Sequence, residues 1–346
     1  MMSRKKLFVM IVVVVITASW CIWATPGMGA EDKLKIGFAH VNMNAPYYIA
    51  MQETAEAVAK EENVELVSYN CEDDLSKQIR QVMSMIGMGI DGLLINPTTP
   101  EGPRTAIEAC VKEGIPIVAI DRQLYGDYIA YVGIDQWDSG YILGKYIVEK
   151  VFPDKKNIVW VELQGAPGCP AGIGRGGGFH QAINELGKGR FTRFYYDRGY
   201  YDSSRGMKIM EDAIIKAKGA GVKIDLVYGH NDAMALGARE ALKKAGMMDV
   251  TLCGVDAQKE AIYLITSKDK PQYVATIVNW STDITRIGLK ALIDNIREGK
   301  IPAFTPQEEL SPYSAQISDP TRYIKTGTFL IYEGNANEYY NPKAIF

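Results

Sequence analysis

Two sets of residues in this chain have types and spacings that could do chemistry. In GCPAGIGRGGGFHQAI (169–184), Gly172, Gly174 and Gly177 have the G-x-G-x-x-G spacing of a dinucleotide-binding turn, with Asp197 twenty residues beyond the last of them. The second set is scattered: Asn96, Asp121 with Arg122, Asp135, Asn231 with Asp232, Asp256 and Asn279 each directly follow an apolar run. Such side chains grip hydroxyl groups, since Asp accepts, Arg donates and Asn does both. Asp121 and Asp256 could equally form the acid and base of a glycosidase. A single Asn or Asp in such a place caps a helix or makes a turn; the whole set favours a polar cleft.

The elements that must position these residues are legible as alternating units. KIGFAHV (35–41), ELVSYN (65–70), GLLINP (92–97), IPIVAID (115–121) and IAYVGID (129–135) form one series of short runs separated by helically spaced stretches. NIVWVELQG (157–165), FTRFYYD (191–197), IDLVYGHND (224–232), VTLCGVD (250–256) and YVATIVN (273–279) form a second. Continuous apolarity marks strands covered on both faces, as in parallel sheets. With 346 residues, 47% of them hydrophobic, there is material for two such lobes. Ligands of open α/β sheets sit at C-terminal strand ends, where the scattered polar set falls.

That frame disposes of the dinucleotide reading. The fingerprint needs its first glycine to close the strand-to-helix turn directly, but Gln164–Ala171 intervene and the match is not on the first unit. The glycines are expected instead to let a loop approach the cleft and start a helix.

Arg4, Lys5 and Lys6 precede the uncharged run Leu7–Trp23, followed by Pro26, Gly27, Gly29 and Ala30, the pattern of an export signal over residues 1–30. About 17 apolar residues also approach the length of an uncleaved membrane anchor. Without that segment 35 basic residues face 41 acidic ones, which argues against nucleic acid. Cys71, Cys110, Cys169 and Cys253 lack zinc-site spacing and read as isolated thiols, with three disulfide pairings conceivable. His40, His180 and His230 have no metal spacing either.

LLINPTT (93–99), IPIVAIDRQ (115–123), VELQGAPG with RGGGF (161–179) and NDAMALGA (231–238) occur in that order. Together they resemble the exported type I periplasmic binding proteins for sugars, in particular the ribose-binding group, over residues 34 to about 310. The resemblance implies an α/β, periplasmic-binding-protein-like type I fold: two doubly wound parallel-sheet lobes joined by a three-segment hinge. Residues 31–135 plus 280–312 would form the N-terminal lobe and 136–279 plus 313–346 the C-terminal one. The connections would lie near Ile134–Gln136, Asn279–Thr282 and Leu310–Tyr313.

Position by position, the resemblance makes Tyr47 and Tyr48 of NAPYY the aromatic pair, with Asn96, Asp121 and Arg122 as polar contacts beside them. Arg175, Tyr201, Asn231, Asp256 and Asn279 would face them from the other lobe, with Asn44, Trp137 and Trp280 as additional candidates. Flat aromatic walls suit the C–H faces of a sugar ring. Val41 and Ala45 stand where the ribose group has small polar residues, and Tyr replaces Phe at two stacking positions, which puts ribose itself in doubt. The implied protein is a monomeric periplasmic solute-binding protein without cofactor, metal or catalysis. It would deliver a sugar or polyol to an ABC transporter permease, or alternatively present it to a chemoreceptor or sensor kinase. Sugar-responsive repressors share this core but need a helix-turn-helix module where residues 1–30 read as an export signal.

Overall fold

Every apolar run of the two series becomes a strand in the computed structural model, which describes residues 33–317, 319–344 and 346. The expected export segment lies outside the described residues, among which no helix is long and apolar enough to cross a membrane. The first series folds as β1 (Lys35–His40), α1 (Pro46–Glu61), β2 (Glu65–Asn70), α2 (Leu75–Gly87), β3 (Gly92–Ile95), α3 (Arg104–Lys112), β4 (Ile117–Ile120) and β5 (Ala130–Gly133). The second comprises α4 (Gln136–Tyr146), β6 (Ile158–Gln164), α5 (Pro170–Gly187), β7 (Phe191–Arg198), α6 (Ser203–Ala220), β8 (Leu226–Gly229), α7 (Asp232–Lys244), β9 (Thr251–Asp256), α8 (Lys259–Ser267) and β10 (Tyr273–Val278). The remainder supplies α9 (Ser281–Glu298), α10 (Pro312–Ile317), β11 (Tyr323–Lys325), β12 (Leu330–Tyr332) and α11 (Ala336–Tyr339).

The two sheets have strand orders β2-β1-β3-β4-β5-β11 and β7-β6-β8-β9-β10-β12. All pairings are parallel except β10 with β12. Each order reverses beside its first strand, so the C-terminal strand ends form the crevice where such folds bind ligands. β3 and β4 are buried along their whole length, as their unbroken apolarity requires. Local signals fix the helices around them. The Asp74 and Asp202 carboxylates accept from the backbone N–H of Lys77 and Arg205 to start α2 and α6. Gly221 ends α6 in the left-handed region.

After β10 the chain returns to the first sheet, where Ile284, Leu289, Leu292 and Ile293 of α9 share a core with Ile36, Phe38, Leu94 and Val118. Asp135 ties two interlobe passages together. Its carboxylate caps α4 through the Trp137 and Asp138 N–H groups and accepts from Ser311 N at 2.7 Å and Ser311 Oγ at 2.8 Å.

Beyond Ser311 the chain departs from the expected lobe assignment. The resemblance places residues 313–346 in the second lobe, but β11 pairs with β5 in the first sheet before β12 joins β10 in the second. The tail therefore passes between the sheets again. Both strands are three residues long and fill open sheet edges, a demand set by the sheets rather than by their own sequences.

The glycine-rich run also differs from its expectation. It lies inside α5, not in a loop, although interior glycine costs a helix about 1 kcal/mol per residue. The compensation is contact with α4: a Cβ on Gly178 would come 2.0 Å from the Trp137 carbonyl oxygen, and one on Gly140 would come 2.1 Å from the Arg175 carbonyl oxygen. Only glycine lets these backbones approach so closely.

Candidate functional site

The polar residues at the strand ends meet in a continuous network. Asn96 Nδ2 donates to Asp121 Oδ2 at 3.1 Å, and the Tyr47 hydroxyl donates to Asp121 Oδ1 at 2.8 Å. That hydroxyl in turn accepts from Asn279 Nδ2 at 3.1 Å, which bridges the two sheets. Asn279 Nδ2 also reaches Asp256 Oδ1 at 2.9 Å, and Arg175 Nη2 pairs with the same oxygen at 3.0 Å. Arg122 branches from Asp121, donating to the Tyr48 hydroxyl at 3.0 Å and to the Thr98 carbonyl at 3.2 Å. Two carboxylates and two guanidinium groups balance within this cluster.

Asn231 and Tyr201 join it less directly. Asn231 Oδ1 caps α7 by accepting from Met234 N, and its Nδ2 donates to the Tyr201 carbonyl at 3.2 Å. The capping role is therefore real. Burial pushes the Tyr201 hydroxyl well up, against the opposing positive charges of Arg175 and Arg122. The hydroxyl lies so near Gly165 that a Cβ there would come within 2.2 Å.

The three additional candidates make no hydrogen bond to the network. Asn44 is exposed, and its backbone N–H donates to Asn42 Oδ1. Trp137 donates to Gln181 and packs on Tyr313, whereas Trp280 packs on Phe329 and Tyr339.

Sequence reasoning passed over three supports. Gln136 Oε1 accepts from Arg175 Nε at 2.8 Å, and the His230 carbonyl accepts from Arg175 Nη1 at 2.7 Å. These bonds, with Asp256, fix the guanidinium plane of a buried arginine. The third is Cys169, a buried side chain at the N-terminus of α5. The described cysteines are all free and buried, as their isolated spacing implies.

The backbone carries a signal invisible in sequence. Asp121, Tyr201 and Asp256 have φ of 63°, 64° and 115°, a region that side chains other than glycine avoid. Such conformations cost about 1–3 kcal/mol each and persist where surrounding bonds over-determine them. Around Asp256 those bonds are visible. Thr276 Oγ1 accepts from Ala257 N at 3.0 Å, and Asp232 accepts from Gln258 N at 2.8 Å and from the Tyr273 hydroxyl at 2.6 Å.

Burial pushes Asp256 up to about 6, against the opposing effect of Arg175 and the bond from Asn279. Ionised Asp256 therefore costs stability as pH rises from the ordinary carboxylate value through 6. Burial pushes Asp232 further, to about 8, with the Asp256 charge adding to it. Buried Asn96 Oδ1, Asn279 Oδ1 and Gln136 Nε2 have no hydrogen-bond partner among the described residues.

Behind the network, Glu162 of β6 is fully buried. It accepts from His230 Nε2 at 3.0 Å, His180 Nε2 at 2.9 Å and Arg193 Nη1 at 2.6 Å. His230 Nδ1 accepts from Gly165 N, which puts the other ring proton on the bond to Glu162. Burial alone would raise the carboxyl, but the histidine donors hold it well below the usual range. Glu162→Gln is expected to cost about 2 kcal/mol at pH 7, or about 4 °C of melting temperature. A depressed carboxyl stabilises above its unfolded value and loses that contribution only as pH falls through its folded value, so most of the difference should survive at about pH 4 and disappear only at still lower pH. Melts of parent and variant across these pH values check this. Among the described residues no cluster of His, Cys, Asp or Glu could hold a metal ion.

The geometry can be set beside known proteins. The family model for the periplasmic binding protein domain matches residues 36–301. The ribose import binding protein of Bacillus subtilis (strain 168) is 30% identical over 280 residues, covering 80% of this chain and 87% of that protein. The galactofuranose-binding protein of Escherichia coli (strain K12) is 29% identical over 228 residues, 65% of this chain and 70% of that protein. Among solved structures, an ABC transporter solute binding protein from Mycobacterium smegmatis with bound glycerol is similar with a TM-score of 0.78 and 28% identity, covering 90% of this chain and 98% of that one. With two parallel-dominated sheets, a polar network at their facing strand ends and a family match across most of its length, this chain belongs to the periplasmic binding protein domain family.

Proposed function

We propose that this protein captures one monosaccharide or sugar-like polyol between its two lobes and delivers it to an ABC importer. The observation that carries the reading is the network running from Asn96 through Asp121, Tyr47, Asn279 and Asp256 to Arg175. Its buried acceptors on Asn96 and Asn279 lack donors among the described residues, which costs about 1–3 kcal/mol each. Sugar hydroxyls supply donors to these oxygens and to both carboxylates, and accept from both guanidinium groups. The names of the relatives, which bind ribose, galactofuranose and glycerol, support the ligand class. The basic, apolar and small-residue pattern of residues 1–30 supports export, so capture would take place outside the cytoplasm.

Tyrosine in place of phenylalanine favours a ligand other than ribose. The Tyr47 hydroxyl engages both Asp121 Oδ1 and Asn279 Nδ2, so fewer free partners remain for a sugar. A thermal-shift screen against pentoses, hexoses, deoxysugars and polyols tests the reading. A cognate ligand at a hundred times its Kd should add about 2.7 kcal/mol of stability and raise the melting temperature by several degrees. A screen in which no member shifts the melt would refute the proposed ligand class.

A further inference from the structure

The C-terminal segment touches both lobes. Tyr339, Tyr340 and Phe329 pack on the second-lobe core, with Tyr340 5.7 Å from Tyr263 of α8 and Tyr339 6.0 Å from Trp280 between ring centroids. Lys259 Nζ, also on α8, donates to the Ala344 carbonyl at 2.6 Å. Two residues later, Phe346 packs on the first-lobe core instead. Its ring meets Tyr47 edge to face, with centroids 5.2 Å apart and planes at 80°.

The residue it touches is the one that already bridges the sheets. Tyr47 donates its hydroxyl to Asp121 while accepting from Asn279. An edge-to-face aromatic contact fixes the ring that presents this hydroxyl. We propose that residues 336–344, together with Phe346, form a clasp that holds the lobes together, with Phe346 seated against Tyr47. Opening the cleft separates Phe346 from Tyr47 or pulls Ala344 from Lys259, so the clasp biases the hinge toward the closed arrangement. Its effect on ligand retention rests on the proposed function, but its effect on lobe spacing does not.

The test uses small-angle X-ray scattering of the ligand-free protein, comparing the parent with Phe346→Ala, Phe346→Leu and Lys259→Met. A compact chain of this length has a radius of gyration of about 20 Å. Phe346→Ala and Lys259→Met should each raise it beyond the parent value, whereas Phe346→Leu, which keeps an apolar contact, should raise it less. Unchanged melting temperatures would show that the shift is an opening of the hinge and not unfolding. A radius of gyration for Phe346→Ala and Lys259→Met equal to the parent's would overturn the clasp. Absence of any sugar ligand would sink the proposed function and leave this comparison intact.

Discussion

Asp121→Asn is expected to weaken binding of the cognate sugar about a hundredfold while leaving the ligand-free protein folded. Asp121 is the node at which the first-lobe groups meet, taking Asn96 on one oxygen and Tyr47 on the other. A sugar hydroxyl donated to this carboxylate makes a charge-assisted bond, and its loss with a partly unsatisfied network costs about 2.7 kcal/mol, which is a hundredfold in Kd. Asn is the informative replacement because it tolerates the left-handed conformation that Asp121 holds at φ 63°. Asp121→Ala would add backbone strain to the same loss of binding. Calorimetric titration of parent and variant reads the change, and an unaltered Kd for Asp121→Asn would remove Asp121 from the site.

Gly178→Ala is expected to lower the melting temperature by about 6 °C or more without contacting ligand. The added Cβ would stand 2.0 Å from the Trp137 carbonyl oxygen and 2.8 Å from the Tyr141 nitrogen, both backbone atoms that cannot rotate away. Helices α4 and α5 must then separate, and overpacking of this kind costs about 3 kcal/mol. Alanine otherwise favours a helix over glycine by about 1 kcal/mol, so the two effects have opposite signs. A melt showing stabilisation would mean that the close approach of α4 and α5 is not what the glycines are for.

The same pair of helices shows where sequence reading stops. Ten strands and the crossover helices were legible because buried parallel strands demand unbroken apolar runs, which few other segments contain. The three-residue strands β11 and β12 were not legible: β11 has no such run, and the run Phe329–Tyr332 that holds β12 is short and isolated, because an open sheet edge recruits whatever extended segment passes it. The glycines of α5 read locally as a loop, and at Gly178 only the Trp137 backbone of α4, about forty residues earlier, explains the glycine. Long-range complementarity of that kind leaves no local pattern.

For the candidate site, strand-end position and residue type picked out Asn96, Asp121, Arg122, Asp256 and Asn279, whereas Tyr47, Tyr48 and Arg175 came from the resemblance to the sugar-binding family. Nothing in the sequence marks the positive φ of Asp121, Tyr201 and Asp256, or Gln136 and the His230 carbonyl that orient Arg175. Backbone carbonyls have no residue identity to read. Trp137 and Trp280 were chosen for adjacency in sequence, but each turns its ring to an internal aromatic partner.

The central claim is that the network from Asn96 to Arg175 retains one sugar or polyol molecule unchanged. Its most direct test is calorimetric titration with the compound that raises the melting temperature, followed by chromatography of the released ligand. The account predicts saturable binding at one molecule per chain and full recovery of the unaltered compound. Sub-stoichiometric heat with a converted product, or no saturable binding by any sugar or polyol, would contradict it.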